Sequence, residues 1–321
     1  MKEVAQSLSK NSFNLAKELR AYEINYLSDA YHNRETRLKN RDENFSYLSS
    51  LQLLSSKKIS QRSINFLLDF SDKTYAAGFD GKIYDDEKVV WEDLEHNNIR
   101  INELAASQNN LFAFYNNGDY LNVLSNQITK TDLSHHKSLL HPAELISFLY
   151  QEDSVKIFSL ERSALLSSIR LHQHNITAAT LHPNQALLTT ADSQGYITIT
   201  DLRCRATVAQ FESPSSVSDL AWNFNYLNIV DSIGNFTTQD LRNTSLKRTS
   251  FLSSQTSRLF KKNDESFVAL SFDRELLFLS QDHEIISRKK YDFLPLGYST
   301  KSSKISDSRG FIHYLSSPIP F

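Results

Sequence analysis

The sequence predicts an all-β fold, a seven-bladed β-propeller preceded by an N-terminal α-helical segment. Three observations lead there. Turns suited to tight hairpins recur along the chain at a nearly constant interval. The runs between them are short and rich in β-forming residues. Residues 1–43 follow a different, helical periodicity, so the chain divides into that extension and a propeller over 44–321.

The helical extension comes first. From Asn11 the stretch NSFNLAKELRAYEINYLSDAYHNRETRLKN carries no Gly or Pro and places Leu15, Leu19, Tyr22 and Tyr26 at spacings of four, three and four. That is one apolar stripe of a helix, with Lys17, Glu18, Arg20 and Glu23 elsewhere on the cylinder. Asn11 or Ser12 is placed to cap it. A stripe of this kind needs cover, from the propeller or from a partner protein, and Leu15, Leu19, Tyr22 and Tyr26 are the expected partner-binding residues.

The hairpins follow. Five of the seven glycines fall in one setting, a turn feeding a β-rich run, at Gly81, Gly118, Gly195, Gly234 and Gly310. Polar turns at Glu152-Asp153 and Asp273-Arg274 complete the set. Turns near 81, 118, 153, 195, 234, 274 and 310 are separated by 37, 35, 42, 39, 40 and 36 residues. That interval is just under the roughly 40–45 residues of a four-stranded propeller blade. Seven hairpins make seven blades. First strands are readable at Ser63–Leu68, Ile99–Ile101, Ile176–Leu181 and Val217–Trp222. The last hairpin lies so near the C-terminus that its blade lacks an outer strand, and Phe45–Leu54 is expected to supply it and remove the open sheet edge.

The best-preserved repeat runs from His172 to Arg203. It has a His182-Pro183-Asn184-Gln185 turn, a Ser193-Gln194-Gly195 hairpin, a strand in which Ile197 and Ile199 alternate with Thr198 and Thr200, and an Asp201-Leu202-Arg203 ending. Pro fixes φ and Gly permits the positive φ of a tight turn. Asp240-Leu241-Arg242 repeats the ending 39 residues later. This unit resembles one blade of a WD40 β-propeller, with Thr200 where that family usually carries Trp. The family's hairpin Asp is matched at Asp80 but replaced by Gln194 and Ile233, so its His–Asp–Ser–Trp hydrogen-bond network is not expected in blades four and five. A different seven-bladed family stays open.

Composition narrows the class. Hydrophobic residues at 40%, with 11% aromatic, suffice for a sizeable core. A net charge of −2 argues against non-specific nucleic-acid binding over the whole surface. The single cysteine, Cys204, rules out an intramolecular disulfide framework, and no long apolar run suggests a membrane span. The expectation is an intracellular protein of nucleus or cytoplasm.

Catalytic signatures are missing from the sequence: there is no G-x-S-x-G, P-loop or H-E-x-x-H pattern. His172-Gln173-His174 is the nearest approach to a metal-binding spacing, and no cysteine supports it. No enzyme activity, metal or cofactor is expected. Charge is distributed unevenly. Between Asp69 and Glu103 ten acidic residues face four basic ones, and between Arg242 and Lys304 twelve basic face seven acidic. Lys261, Lys262, Arg288, Lys289 and Lys290 are therefore the candidate contacts for RNA phosphate or an acidic partner.

The WD40 resemblance implies a non-catalytic scaffold that docks proteins or RNA within a larger assembly. The order of a Leu-, Arg- and Glu-rich segment at Asn11–Asn40, a linker through Ser60 and a first blade opening at Ile64 is similar to that of the WD40 subunit of the U4/U6 small nuclear ribonucleoprotein. That likeness implies pre-mRNA splicing as the most specific role. An enzyme with its site at the propeller mouth, and an adaptor of another pathway, including a secreted bacterial effector, are the alternatives.

Overall fold

The computed structural model describes residues 52–316, apart from 86–87, 93–98, 108, 132, 134–136, 185, 244–246, 253, 264–265 and 281–283. The expected helix, with Leu15, Leu19, Tyr22 and Tyr26, lies outside the described residues. Among those described, every regular element is a strand. The first is β1 (Leu53–Lys58). Blade one follows with β2 (Ile64–Phe70), β3 (Lys73–Gly78), β4 (Ile83–Asp85) and β5 (Lys88–Trp91). Blade two is β6 (Ile101–Ser107), β7 (Asn110–Tyr115), β8 (Tyr120–Asn122) and β9 (Gln127–Thr129). Blade three is β10 (Lys137–Leu140), β11 (Ile146–Gln151), β12 (Ser154–Ser159) and β13 (Ala164–Arg170). Blade four is β14 (Ile176–Leu181), β15 (Leu187–Asp192), β16 (Tyr196–Asp201) and β17 (Ala206–Glu212). Blade five is β18 (Val217–Asn223), β19 (Tyr226–Asp231), β20 (Asn235–Asp240) and β21 (Lys247–Phe251). Blade six is β22 (Thr256–Asn263), β23 (Ser266–Ser271), β24 (Glu275–Ser280) and β25 (Ile285–Lys290). Blade seven has β26 (Pro295–Ser299), β27 (Lys304–Asp307) and β28 (Phe311–Leu315).

These strands make seven four-stranded sheets, the blades of a seven-bladed β-propeller. Six blades pair their strands in chain order. The seventh runs β1-β28-β27-β26, so the first described strand is the outer strand of the last blade. β1 lies antiparallel to β28, with Ser56 opposite His313 and Lys58 opposite Phe311. It overlaps the expected closing segment at Leu53 and Leu54 and continues to Lys58; the earlier part of that segment, through residue 51, is outside the described residues. The first strand of blade two begins at Ile101 rather than Ile99.

The chain divides into two compact units, one of His172–Ala269 with Leu277–Arg288, the other of Ser50–Leu171, Leu270–Leu276 and Lys289–Phe321. Each shows why the middle strands read as nearly continuous apolar runs. In the first unit, blade five turns Leu227 and Ile229 toward Ile197 and Ile199 of blade four. Its opposite side, with Val230 and Phe236, packs on Phe267 and Leu277 of blade six. In the second unit, Leu111, Ala113 and Leu121 of blade two meet Phe66, Tyr75 and Ile83 of blade one. Phe112, Phe114 and Tyr120 face Leu149 and Phe158 of blade three. A strand covered on both faces has no solvent side to mark with polar residues. Each such fully buried side chain contributes roughly 1.5–3 kcal/mol. The outer strands are exposed or half-buried along much of their length instead, as in β13.

A bulge recurs at one place in the ladder between first and second strands, between Ile64 and Phe66, Ile101 and Glu103, Ile176 and Ala178, Val217 and Asp219, and Pro295 and Gly297. The extra residue bends the innermost strand and raises its twist, which suits strands gathered close together.

Candidate partner-binding surface

The turn between second and third strands is built around a carboxylate in three blades. Asp192-Ser193-Gln194-Gly195, Asp231-Ser232-Ile233-Gly234 and Asp307-Ser308-Arg309-Gly310 share one pattern, Asp-Ser-x-Gly. In each, Oδ1 of the Asp accepts backbone N–H bonds from the residues two and four further on. Gln194 and Tyr196 donate to Asp192, Ile233 and Asn235 to Asp231, and Arg309 and Phe311 to Asp307, at 2.8–3.2 Å. The carboxylate thus satisfies donors that a tight turn leaves without partners.

The other oxygen reaches a different partner in each blade. His172 Nδ1 lies 3.2 Å from Asp192 Oδ2, and its Nε2 lies 2.8 Å from the Thr190 hydroxyl, all three groups being buried. In blade five, Asp231 Oδ2 accepts from Asn235 Nδ2 at 2.8 Å and from the Ser213 hydroxyl at 3.3 Å. In blade seven, His313 Nε2 donates to Asp307 Oδ2 at 3.0 Å, while its Nδ1 accepts from the Ser56 hydroxyl at 2.7 Å. Burial works against the charge on Asp307, but bonds from His313, the Phe311 N–H and Arg309 outweigh it and hold the carboxyl below its usual range. Blade four therefore sets the buried His172 between Asp192, at ion-pair distance, and Thr190, in hydrogen-bond contact, with its carboxylate three residues before the glycine. The repeated Asp-Ser-x-Gly was the signal for it in the sequence.

Asp80, in the position the WD40 resemblance points to, accepts from the Ser60 hydroxyl, from Tyr84 Oη at 2.5 Å and from the Lys82 N–H. The Asp-Leu-Arg endings cap the third strand: Asp201 and Asp240 each accept the N–H and the guanidinium of the Arg two residues on. Those bonds from Arg203 hold Asp201 below the usual carboxylate range.

Among the described residues of the acidic run, Asp69, Asp85 and Glu92 have partners within the fold. Asp69 is half-buried; desolvation raises its pKa, yet hydrogen bonds from Ser299, the Lys301 N–H, Thr74 and Ser302 bring it below the ordinary value. Asp85 pairs with Lys73, and Glu92 with Lys82 at 2.5 Å. The basic candidates occupy the two edges of blade six. Lys261 and Lys262 are on β22, the first strand, and Arg288, Lys289 and Lys290 are on β25, the last. Lys261 lies over the Phe224 ring, 4.8 Å from its centroid, and burial pulls the Lys262 ammonium down to about 8. Arg288 donates to the Leu252 carbonyl at 3.0 Å.

His172 is buried in its network while His174, two residues on, is exposed, so this pair does not converge on a metal. Among the described residues no group of three His, Cys, Asp or Glu is placed to hold a metal ion. Cys204 is exposed in the turn after Asp201. No described helix is long and apolar enough to cross a membrane. No protein-family model and no curated protein matches the chain. The fold is consistent with a WD40-like propeller and fits an interaction role.

Proposed function

We propose that this chain is a non-catalytic scaffold that binds other proteins of a multisubunit assembly through its hairpin tips and its N-terminal stripe. The observation that carries this reading is an exposed apolar side chain at or beside the turn joining second and third strands. Phe79 is in blade one, Tyr196 in blade four, Ile233 in blade five and Phe272, 55% exposed, in blade six. Phe251, 65% exposed, pairs with Asn235 next to the blade-five turn. The buried carboxylates of the blade-four and blade-five turns are used for turn geometry, which leaves the tips free to meet a partner.

The more specific reading is a subunit of a nuclear ribonucleoprotein such as the U4/U6 particle. Lys261, Lys262, Arg288, Lys289 and Lys290 would then contact RNA or an acidic partner, and Leu15, Leu19, Tyr22 and Tyr26 a partner protein. The order of the helical stretch, linker and first blade supports it. The test is affinity purification of the full chain from its native cells, with identification of co-purifying proteins and RNA. Changing Tyr196, Ile233 and Phe272 together to Ser should remove partners that the unaltered chain retains. A monodisperse monomer recovering none overturns the scaffold. Unchanged RNA recovery from a chain with Ala at Arg288, Lys289 and Lys290, at moderate salt, removes the RNA part.

A further inference from the structure

Resting on the scaffold reading, we propose that a cleft in blade three is a docking site for a basic, tryptophan-bearing segment of a partner protein. The cleft, of about 450 Å³, is lined by blade three alone, from the turns joining β10 to β11 and β12 to β13 and from the start of β13. It lies at the end of the blade opposite the turn between second and third strands. Leu145, Ile146 and Leu166 form its apolar wall. Both turns are tied down: the Leu160 N–H donates to the Leu145 carbonyl at 2.8 Å, the Arg162 N–H to Ser159 Oγ at 3.2 Å, and Tyr120 Oη of blade two to the Leu160 carbonyl at 3.0 Å. The cleft is therefore preformed.

Blade four shows what fills the equivalent place. His141-Pro142 corresponds to His182-Pro183. Ile146 opposite Ser159 corresponds to Leu187 opposite Asp201, and the left-handed Ser163 to the left-handed Arg205. Leu166 is the extra residue of a bulge, between Leu165 opposite Phe158 and Ser167 opposite Ile157. Val208 is the extra residue of the same bulge, between Thr207 opposite Thr200 and Ala209 opposite Ile199. The two blades differ in cover. Leu187 and Val208 are buried in one apolar cluster with Trp222, Leu227 and Leu241 of blade five, and Val208 is only 8% exposed. Ile146 is half-buried and Leu166 is 44% exposed. An apolar bulge that receives an indole in one blade stands open in another, so a partner's tryptophan is the matching occupant.

Charge adds to this choice. Among the described residues that line the cleft, the charged ones are Glu144, Glu161 and Arg162, all exposed. Two carboxylates against one guanidinium favour a cationic side chain beside the ring, and a guanidinium can lie against an indole face.

The test uses the full chain and a fluorescein-labelled probe, an acetylated, amidated peptide with one tryptophan between two lysines in a glycine and serine background. Polarisation should report saturable binding, and the same peptide with glycine in place of tryptophan should bind about tenfold more weakly. Leu166→Ser should reduce affinity by about tenfold. Val90→Ser, at the exposed bulge residue of blade one, should leave it unchanged. Glu144→Gln with Glu161→Gln should reduce affinity by about threefold and flatten its salt dependence. Should Leu166→Ser fail to fold by circular dichroism, Leu166→Ala carries the same expectation with a smaller loss. No binding by the unaltered chain, equal binding of the peptide without tryptophan, or an equal loss with Val90→Ser overturns the proposal. So does a dimer of the full chain that Leu166→Ser dissolves, because a second copy would then be the occupant. Unchanged affinity in the double glutamine variant overturns its basic half. The scaffold reading fails separately, when affinity purification recovers no partner; a Leu166→Ser chain that loses none of the recovered partners sinks the cleft alone.

Discussion

Blades four and seven put the same turn to different uses. Both place an Asp three residues before a glycine, and both set that carboxylate against a buried histidine. In blade four the histidine, His172, comes from the segment leading into the blade, about twenty residues before its Asp, and its second nitrogen faces Thr190 of the same sheet. In blade seven it is His313 on the third strand, only six residues after Asp307, and its second nitrogen meets Ser56 on β1, 257 residues away in the chain. One network ties a blade to its own lead-in. The other pins the two ends of the described propeller together. The difference teaches that a conserved turn geometry leaves one carboxylate oxygen uncommitted, and local need decides its partner.

The sharpest way to break that comparison is Asp307→Ala. It leaves His313, Arg309 and two turn N–H groups without their acceptor in a fully buried site, and should cost about 3–5 kcal/mol in urea unfolding. Proteolysis should also begin to cut β1, since its anchor through Ser56 is loosened. If Asp192→Ala gives the same loss and the same cleavage of β1, the distinction between the blades is wrong.

Gly310→Ala probes the same closure through the backbone. Gly310 has φ +86°, and a Cβ there would collide with the Ser60 carbonyl just past β1. Its carbonyl also accepts the Ile59 and Ser60 N–H groups. The left-handed backbone alone costs about 1–3 kcal/mol for a side chain, and the displaced closing strand should place this variant at the upper end. Gly195→Ala, φ +94° with Ser213 O at 2.5 Å, should cost a similar amount without exposing β1 to protease.

Asp192→Ala should cost about 1–3 kcal/mol through the orphaned turn N–H groups and His172. A pH series supplies a smaller effect. Asp307 and Asp69 have carboxyls held below the ordinary 3.8 in the folded chain. Their stabilising contribution is full above that value and is lost as pH falls from it through the lower folded-state value. The urea midpoint should therefore drop as pH falls below about 4. Asp69→Asn should flatten part of that fall; an unchanged slope would show that Asp69 does not link the blade-seven turn at Ser299–Ser302 to blade one. Ser56→Ala should be the mildest, about 0.5–1.5 kcal/mol, measured by urea unfolding.

How far the sequence could be read depended on how local each cause was. Hairpin positions were legible because Gly81, Gly118, Gly195, Gly234 and Gly310 sit where φ is positive, a requirement within one turn. The turn carboxylate was legible in principle, as Asp-Ser-x-Gly three times over, but the resemblance directed attention to the residue before the glycine, where Gln194 and Ile233 carry no acid. The role of Asp69 was not legible, because Ser299 and Ser302, which hold it, lie 230 and 233 residues further on.

By itself, then, the sequence determined the strand class, the number of blades and the turn at each blade's tip. Those follow from φ preferences and side-chain alternation, which act over a few residues. Tertiary structure alone decided the register of the strand that closes the seventh blade and which partner each turn carboxylate meets. These are pairings beyond the reach of a single turn, chosen by how neighbouring sheets within each unit pack and by the need to give buried polar groups partners.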